Sequence, residues 1–244
     1  MKGIKLVLFD VDDTLYDFER NWQLTVESVF QSHPLTSGYE QKRICSLFNR
    51  YSEMHWSKTV CGELTFQQYR RLRLQETLEQ FGETLLDEAF DSFTQAFIET
   101  SLSQMQADVK VRAVLQRITE QYAVGIITNG ANDTAREKLA RLGLSEFFPL
   151  NTVIVSSDVG VGKPDPAIFD LTLKQIGYRA EETVFVGDSW SADIVGALNA
   201  GLHAIWFNPK GVEPLTTHEP LAIIKHLSEL EHVLKDESQK NNKN

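Results

Sequence analysis

Three carboxylates lie within four positions where the first apolar run of the chain ends, in KLVLFDVDDTLYDF at residues 5–18. Carboxylates this close repel one another and resist losing their water. Either the strand simply emerges into solvent here, or the acids do chemistry. Asp10 and Asp12 face the same side if strand geometry persists, whereas Asp13 points elsewhere and is predicted to be a solvated acid.

Polar side chains also follow the later apolar runs of the chain. Thr128 and Asn129 follow the second run, Lys163 lies after the third, and Asp188 and Asp193 follow the fourth. Each has an ordinary structural explanation by itself, as a turn, a solvated loop lysine or an acid at a helix start. Taken together, they form a much more specific set than any one of them alone.

The chemistry of this set points to phosphoryl transfer. The set contains four acids, Asp10, Asp12, Asp188 and Asp193. They require a cation if they share one crevice, and oxygen-only ligands suit Mg²⁺. One carboxylate can attack phosphorus as a covalent nucleophile, and a second, two residues on, can donate a proton to the leaving group. Thr128, Asn129 and Lys163 supply donors and positive charge for the phosphoryl group.

The elements that must position these residues alternate along the chain. The apolar runs are rich in Val, Ile and Phe without clean alternation, which is typical of parallel strands buried on both faces. Helical patterns separate them, and this alternation predicts an open, doubly wound α/β sheet with ligands at the carboxyl ends of its strands. The predicted strands are 4–10, 122–130, 151–158, 182–189 and 202–208, and the predicted helices between them are 131–142, 166–176 and 191–200.

About a hundred residues of mostly helical pattern separate the first strand from the second. Residues 19–103 are therefore predicted to be a helical domain inserted into an α/β core of residues 1–18 and 104–235. The polar tail, 236–244, is predicted to be disordered. The predicted helices of the insertion are 19–31, 39–57, 65–80 and 84–101.

Composition narrows the class of protein and its partners. The 244 residues are 42% hydrophobic and carry a net charge of −10, which suits a globular protein and argues against a nucleic-acid polymer as partner. Cys45 and Cys61, the two cysteines, match neither a zinc site nor a disulfide framework. No apolar stretch has the length of a membrane span or a signal peptide, so a cytoplasmic location is expected.

Four segments in this order resemble the four motifs of the haloacid dehalogenase (HAD)-like hydrolases. They are DVDDT (10–14), ITNG (127–130), GKPDP (162–166) and GDSWSAD (187–193). The resemblance implies a Rossmann-like core, and the insertion after the first motif is similar to the helical cap of subfamily I. The chain departs from the family in having Asp13 where glycine is common, and it lacks the usual Leu-Pro-Gly before the helix that precedes strand two.

The resemblance implies a role for each matching position. Asp10 would be the nucleophile that forms an aspartyl-phosphate, and Asp12 would be the general acid and base. Thr128 and Asn129 would bind the phosphoryl group. Lys163 would neutralise Asp10 and the charge that develops in the reaction.

The resemblance also implies a Mg²⁺ site. Asp10 and Asp188 would coordinate the ion, and Asp12 would reach it through its backbone carbonyl. Asp193 would support the ligand shell or join it. The predicted metal set is therefore Asp10, Asp12, Asp188 and Asp193.

These roles imply a Mg²⁺-dependent phosphatase that hydrolyses a small phosphomonoester. Asp12 separates this branch from the dehalogenase branch, whose first motif resembles DxY and which needs no metal. A phosphomutase shares all four motifs and stays open, as does a catalytically idle member that binds or regulates. The chain is expected to act as a monomer or homodimer.

The insertion bears on the substrate. Residues 54–78 look like caps of the bacterial nucleotidase branch, which favours a nucleoside 5′-monophosphate, with sugar phosphates and phosphoglycolate as alternatives. The same cap residues could instead have purely structural roles. Thr65 would cap a helix, Trp56 would lie in the core, and the arginines would form a solvated face. The arginines are Arg70, Arg71 and Arg73.

Overall fold

The computed structural model describes the backbone of residues 3–241 and the side chains of residues 3–237. The chain divides into two compact units. The core unit is Met1–Asp17 with Ala107–Asn244, and the helical unit is Phe18–Gln106. The helical unit therefore interrupts the core unit shortly after its first strand.

The helical unit contains four α-helices, in the segments where the sequence pattern predicts them. Its third helix begins with a capping box, in which the Thr65 hydroxyl accepts from the Gln68 amide at 3.1 Å and Gln68 Oε1 accepts from the Thr65 amide at 2.9 Å. The N-cap prediction for Thr65 is confirmed. The helices are α1 (Phe18–Ser32), α2 (Gln41–Val60), α3 (Phe66–Glu79) and α4 (Asp87–Ser103).

Arg73, on α3, lies inside the aromatic core of the helical unit. Its side chain is buried, and the guanidinium carbon lies 4.7 Å from the ring centroids of Phe48 and Tyr69 and 4.9 Å from that of Trp22. The prediction of a solvated face is therefore wrong for Arg73, because cation–π contacts offset the loss of water. Trp56, predicted as a core residue, is 40% exposed.

The core unit is built on a six-stranded sheet in which every pair of neighbours is parallel. Its strands are β1 (Leu6–Phe9), β2 (Ala123–Thr128), β3 (Val153–Val155), β4 (Thr183–Gly187), β5 (His203–Phe207) and β6 (Ala222–Ile224). The spatial order is β3-β2-β1-β4-β5-β6, so the chain builds outwards from β1 in both directions. The predicted doubly wound parallel sheet is confirmed.

The central position of β1 determines where a site can form. All four of its residues are buried, and Phe9 pairs in register with Ile126 of β2 and Val186 of β4. Strand order reverses at β1, and ligands of open α/β sheets bind at the carboxyl ends of the strands beside such a reversal. Asp10 is the next residue after Phe9, and it lies at this edge.

The sheet differs from the prediction in two places. The predicted strand 151–158 is cut short at Val155, because residues Ser156–Val159 form a helical turn. The sequence pattern does not predict strand β6, since a three-residue edge strand with a half-exposed Ile223 has no extended apolar run to reveal it.

Helices flank the sheet and connect its strands. The core unit contains α5 (Val109–Thr119), α6 (Asn132–Arg141), α7 (Ser156–Val159), α8 (Pro166–Ile176), α9 (Gly196–Asn199) and α10 (Leu230–Asn241). Helix α8 has the predicted bounds: Asp165 caps its first turn, and Gly177 ends it at a φ of 87°. The predicted helix 191–200 begins instead as a π-helical turn, Trp190–Val195, and continues as α9.

The C-terminal segment differs from the predicted disordered tail, 236–244. Helix α10 continues to Asn241, and residues 242–244 lie outside the described residues. Glu231 anchors its first turn through ion pairs to Arg117 at 2.7 Å and Lys235 at 2.6 Å, which favours helix in a polar segment.

Across residues 3–241, none of the helices combines the length and the apolar character that crossing a membrane demands.

Candidate active site

A buried lysine joins two of the predicted acids. Lys163 Nζ lies 2.7 Å from Asp10 Oδ1 and 2.7 Å from Asp193 Oδ1. The side chains of Lys163 and Asp193 are only 2% and 1% exposed. Burial alone would lower the pKa of Lys163, but the two carboxylates outweigh it and raise that pKa, so the lysine is charged. Two carboxylates therefore share one cation.

Asp188 brings a third carboxylate to the same place. Asp10, Asp188 and Asp193 each offer an oxygen, and these oxygens all lie within 4.8 Å of one another. Burial raises the pKa of Asp10 to about 8 despite Lys163, and burial together with Asp193 and Asp13 raises the pKa of Asp188 to about 7. With all three carboxylates ionised, the cluster would hold more negative charge than Lys163 balances, and its oxygen-only donors fit Mg²⁺.

The turn after β4 holds Asp193 in place. Asp193 Oδ2 accepts a hydrogen bond from the Ser189 amide at 2.9 Å. A Cβ on Gly187 would overlap the Asp193 carboxylate, so only glycine permits this close approach. Because Lys163 and the Ser189 amide contact different oxygens of Asp193, the geometry favours a supporting role for this carboxylate.

Asp188 is fixed through its backbone as well as its side chain. The Trp206 indole N–H, from β5, donates to the Asp188 carbonyl oxygen at 2.8 Å, and Trp206 packs against Trp190 with ring centroids 4.6 Å apart. The Thr14 hydroxyl lies 3.4 Å from Asp188 Oδ1. Trp206 is a site contact that the sequence pattern does not reveal, since a tryptophan within an apolar strand is typical of a core residue.

Asn129 contacts the backbone of Lys163 rather than open space. Its Nδ2 donates to the Lys163 carbonyl at 2.7 Å, and its Oδ1 accepts from the Lys163 amide at 2.8 Å. Both ends of the amide are thus engaged with the residue that carries the buried ammonium. This partner differs from the phosphoryl group predicted for Asn129.

Asp12 is paired with a second lysine, Lys138. Lys138 Nζ, from α6, lies 2.7 Å from Asp12 Oδ1 and 2.8 Å from Oδ2. Lys138 also lines a small cavity with Thr128 and Gly130, which follow β2. Sequence reasoning missed Lys138, because a lysine on an amphipathic helix carries no distinguishing signal.

The structure therefore places the seven predicted site residues in two groups. Asp10, Asp188, Asp193 and Lys163 form one cluster, with Asn129 attached to the lysine backbone. The second group is the Asp12–Lys138 pair with Thr128, which lines the same small cavity as Lys138. Asp13, which departs from the common glycine, adopts a φ of 58°, the left-handed conformation that glycine favours.

Comparisons with known proteins agree on the family. The sequence model described as haloacid dehalogenase-like hydrolase matches residues 4–201. The chain is 29% identical to the HAD-hydrolase YfnB of Bacillus subtilis over 98% of each chain. It is 29% identical to the pyrimidine 5′-nucleotidase YjjG of Escherichia coli over 93% of this chain and 96% of that protein. It is 28% identical to a glyceraldehyde 3-phosphate phosphatase of Methanothermobacter thermautotrophicus over 95% of this chain and all of that protein.

Solved structures give the same result. The magnesium-bound structure of YfnB from Bacillus subtilis superposes with a TM-score of 0.79, at 28% identity, over 96% of this chain and all of that one. A 2-haloacid dehalogenase from Pseudomonas syringae has a TM-score of 0.71 and 32% identity over 96% of this chain and 99% of that one.

Proposed function

Because the chain belongs to the haloacid dehalogenase-like hydrolases, we propose that it is a Mg²⁺-dependent phosphatase of small phosphomonoesters, with a nucleoside 5′-monophosphate as the leading substrate. The observation that carries the proposal is the Asp10 carboxylate, held by the buried Lys163 beside Asp188 and Asp193. A binding module has no need of such a carboxylate, which argues against a catalytically idle member.

In the first step, Asp10 attacks phosphorus and the bond from phosphorus to the leaving oxygen breaks. Lys163 contacts Oδ1, so we assign the attack to Oδ2. Asp12 donates a proton to the departing oxygen, and Thr128 binds the phosphoryl group. The product is an alcohol and an aspartyl-phosphate.

In the second step, water hydrolyses the aspartyl-phosphate. Asp12 takes a proton from the water as its oxygen attacks phosphorus, and the bond between phosphorus and Asp10 breaks to release inorganic phosphate. Lys163 balances charge at Asp10 throughout, because it is buried and held in place by the acids and by Asn129. Asp10 returns as a carboxylate for the next cycle.

Asp10 and Asp188 are the carboxylates that would hold Mg²⁺, and the backbone carbonyl of Asp12 would be a further ligand. Asp193 would support this ligand set without binding the ion. When bound, the ion would neutralise charge on the phosphoryl oxygens. Asp193 is assigned the supporting role because Lys163 and the Ser189 amide contact its two oxygens.

Mg²⁺ is expected to stabilise the protein as well as support turnover. At a concentration near 100 times its Kd, the ion should add about 2.7 kcal/mol, or about 5–10 °C in Tm, because it relieves repulsion among buried carboxylates. Asp188→Asn should lose most of this shift, while Asp170→Asn, at an exposed position on α8, should keep it. Undiminished activity in excess EDTA, or equal shifts in both variants, would contradict the assignment.

Asn129 is proposed to position Lys163 instead of binding substrate. Asn129→Ala should lower kcat on the order of 10- to 100-fold with little change in KM, since the lysine loses the support of its backbone. Asn151→Ala, at an exposed position, is the matched control. A raised KM at unchanged kcat would instead assign Asn129 to the substrate, as the sequence predicts.

The dehalogenase alternative is disfavoured by Asp12. A halide leaves without needing a proton, so a dehalogenase gains nothing from a general acid two residues after its nucleophile. The similarity to a 2-haloacid dehalogenase therefore supports the shared fold, and the proposal stays with phosphomonoesters.

The experiment that tests the function is a panel of substrates assayed with Mg²⁺. It contains pyrimidine and purine nucleoside 5′-monophosphates, glyceraldehyde 3-phosphate, other sugar phosphates, phosphoglycolate and L-2-chloropropionate. We expect phosphate release, with the highest kcat/KM for a nucleoside 5′-monophosphate. Chloride release alone, or no release from any compound, would refute the proposal, and a phosphorylated product would indicate a phosphomutase. A cytoplasmic location and a monomeric or homodimeric state stay predictions.

A further inference from the structure

We propose that Lys138 is the positioning residue for Asp12, so that the site uses two lysines, one for each reacting carboxylate. This inference rests on the proposed function, in which Asp12 transfers the protons. Lys163 contacts Asp10 from the turn before α8, and Lys138 contacts Asp12 from helix α6.

The geometry of the contact restricts Asp12 strongly. Lys138 Nζ lies at 2.7 and 2.8 Å from the two carboxylate oxygens, which fixes the rotation of the carboxylate as well as its position. The backbone is held separately, since the Asp13 amide donates to the Tyr16 carbonyl at 2.7 Å. Asp12 is therefore constrained at both its backbone and its side chain.

Lys138 itself is well held. Its side chain is 14% exposed, and the neighbouring Ala135 and Leu139 bury the inner face of α6. Helix α6 begins just after Thr128 and Gly130, and Lys138 lines the same small cavity as these two residues. A lysine that only improved solubility would extend into water, whereas this one reaches inwards to a carboxylate far away in sequence.

Such positioning affects a step that depends on the leaving group. An alkoxide is a poor leaving group and needs a proton from Asp12, whereas p-nitrophenolate departs without one. Because kcat/KM reports the steps up to the first irreversible one, the comparison isolates formation of the aspartyl-phosphate from its hydrolysis. A misplaced Asp12 should therefore harm alkyl phosphomonoesters selectively.

The test compares Lys138→Met, Lys138→Arg and the exposed control Lys174→Met on p-nitrophenyl phosphate and uridine 5′-monophosphate. Glyceraldehyde 3-phosphate replaces the nucleotide if the panel shows it to be the better substrate. Lys138→Met should lower kcat/KM for the alkyl substrate about 10-fold or more, and that for p-nitrophenyl phosphate less than about 3-fold. Lys138→Arg should restore most of the wild-type ratio of kcat/KM between the two substrates, and Lys174→Met should leave that ratio unchanged.

An equal loss on both substrates, or no loss on either, would overturn the inference. A crystal structure of Lys138→Met provides a second measurement that is independent of activity, and in it the Asp12 carboxylate should leave its wild-type position. If it stays in place, the inference is wrong. If the wild-type protein hydrolyses no phosphomonoester, the proposed function fails, and the crystal structure still decides whether Lys138 positions Asp12.

Discussion

Replacing Asp10 by asparagine is expected to abolish phosphate release while leaving the fold intact. The amide cannot form an aspartyl-phosphate, so kcat should fall by a factor on the order of 10⁴ or more. Asparagine has nearly the same shape as aspartate, and Lys163 keeps Asp193 as its partner at 2.7 Å. The substitution removes an ionisable carboxyl from a buried cluster of three acids, and Tm should therefore stay constant or rise.

Steady-state phosphate release and thermal unfolding, measured on the same protein batches, check this prediction. Asp170→Asn, the same chemical change at an exposed site on α8, should match the wild type in both measurements. Near-normal turnover by Asp10→Asn would rule out Asp10 as the nucleophile. A large fall in Tm would mean that lost activity reflects a damaged fold.

Replacing Lys163 by methionine is expected to damage both stability and activity. The variant leaves Asp10 and Asp193 buried together without their cation, and removal of one partner from a buried ion pair costs about 3–5 kcal/mol. In a chain of this size, Tm should fall on the order of 10 °C. Phosphate release should be lost as well, because the charge that develops in the transition state is no longer balanced.

A second substitution separates the charge effect from a packing effect. If buried negative charge is the cause, Lys163→Met combined with Asp193→Asn should be more stable than Lys163→Met alone. Lys174→Met, on the exposed side of α8, should leave Tm unchanged. A double variant that is less stable than the single one would assign the loss to packing instead.

The two predictions describe opposite consequences of one arrangement. Lys163 is 2% exposed and lies between two acids, so its attraction to them offsets the desolvation free energy that its burial costs. Removing an acid relieves the excess of negative charge, and removing the lysine increases it. Asp10→Asn should therefore lose activity but keep its stability, whereas Lys163→Met should lose both.

The sequence by itself determined the sheet and the edge at which the acids collect. Strands buried on both faces need near-continuous apolar runs, and such runs stand out in the order of the amino acids alone. Parallel strands point their carboxyl ends to the same edge, so polar residues that follow them must converge there. Asp10 and Asp188 could be placed together for this reason, as they follow the paired strands β1 and β4.

Only the tertiary structure decided which partner each side chain has. Lys138 lies 126 positions from Asp12, and Asn129 lies 34 positions from Lys163. No periodicity relates residues so far apart, because their meeting depends on how a helix and a loop pack on the sheet. Arg73 shows the same limit, since its sequence pattern is that of a solvated face and the fold surrounds it with aromatic rings. Strand ends follow from local chemistry, whereas side-chain partners follow from packing.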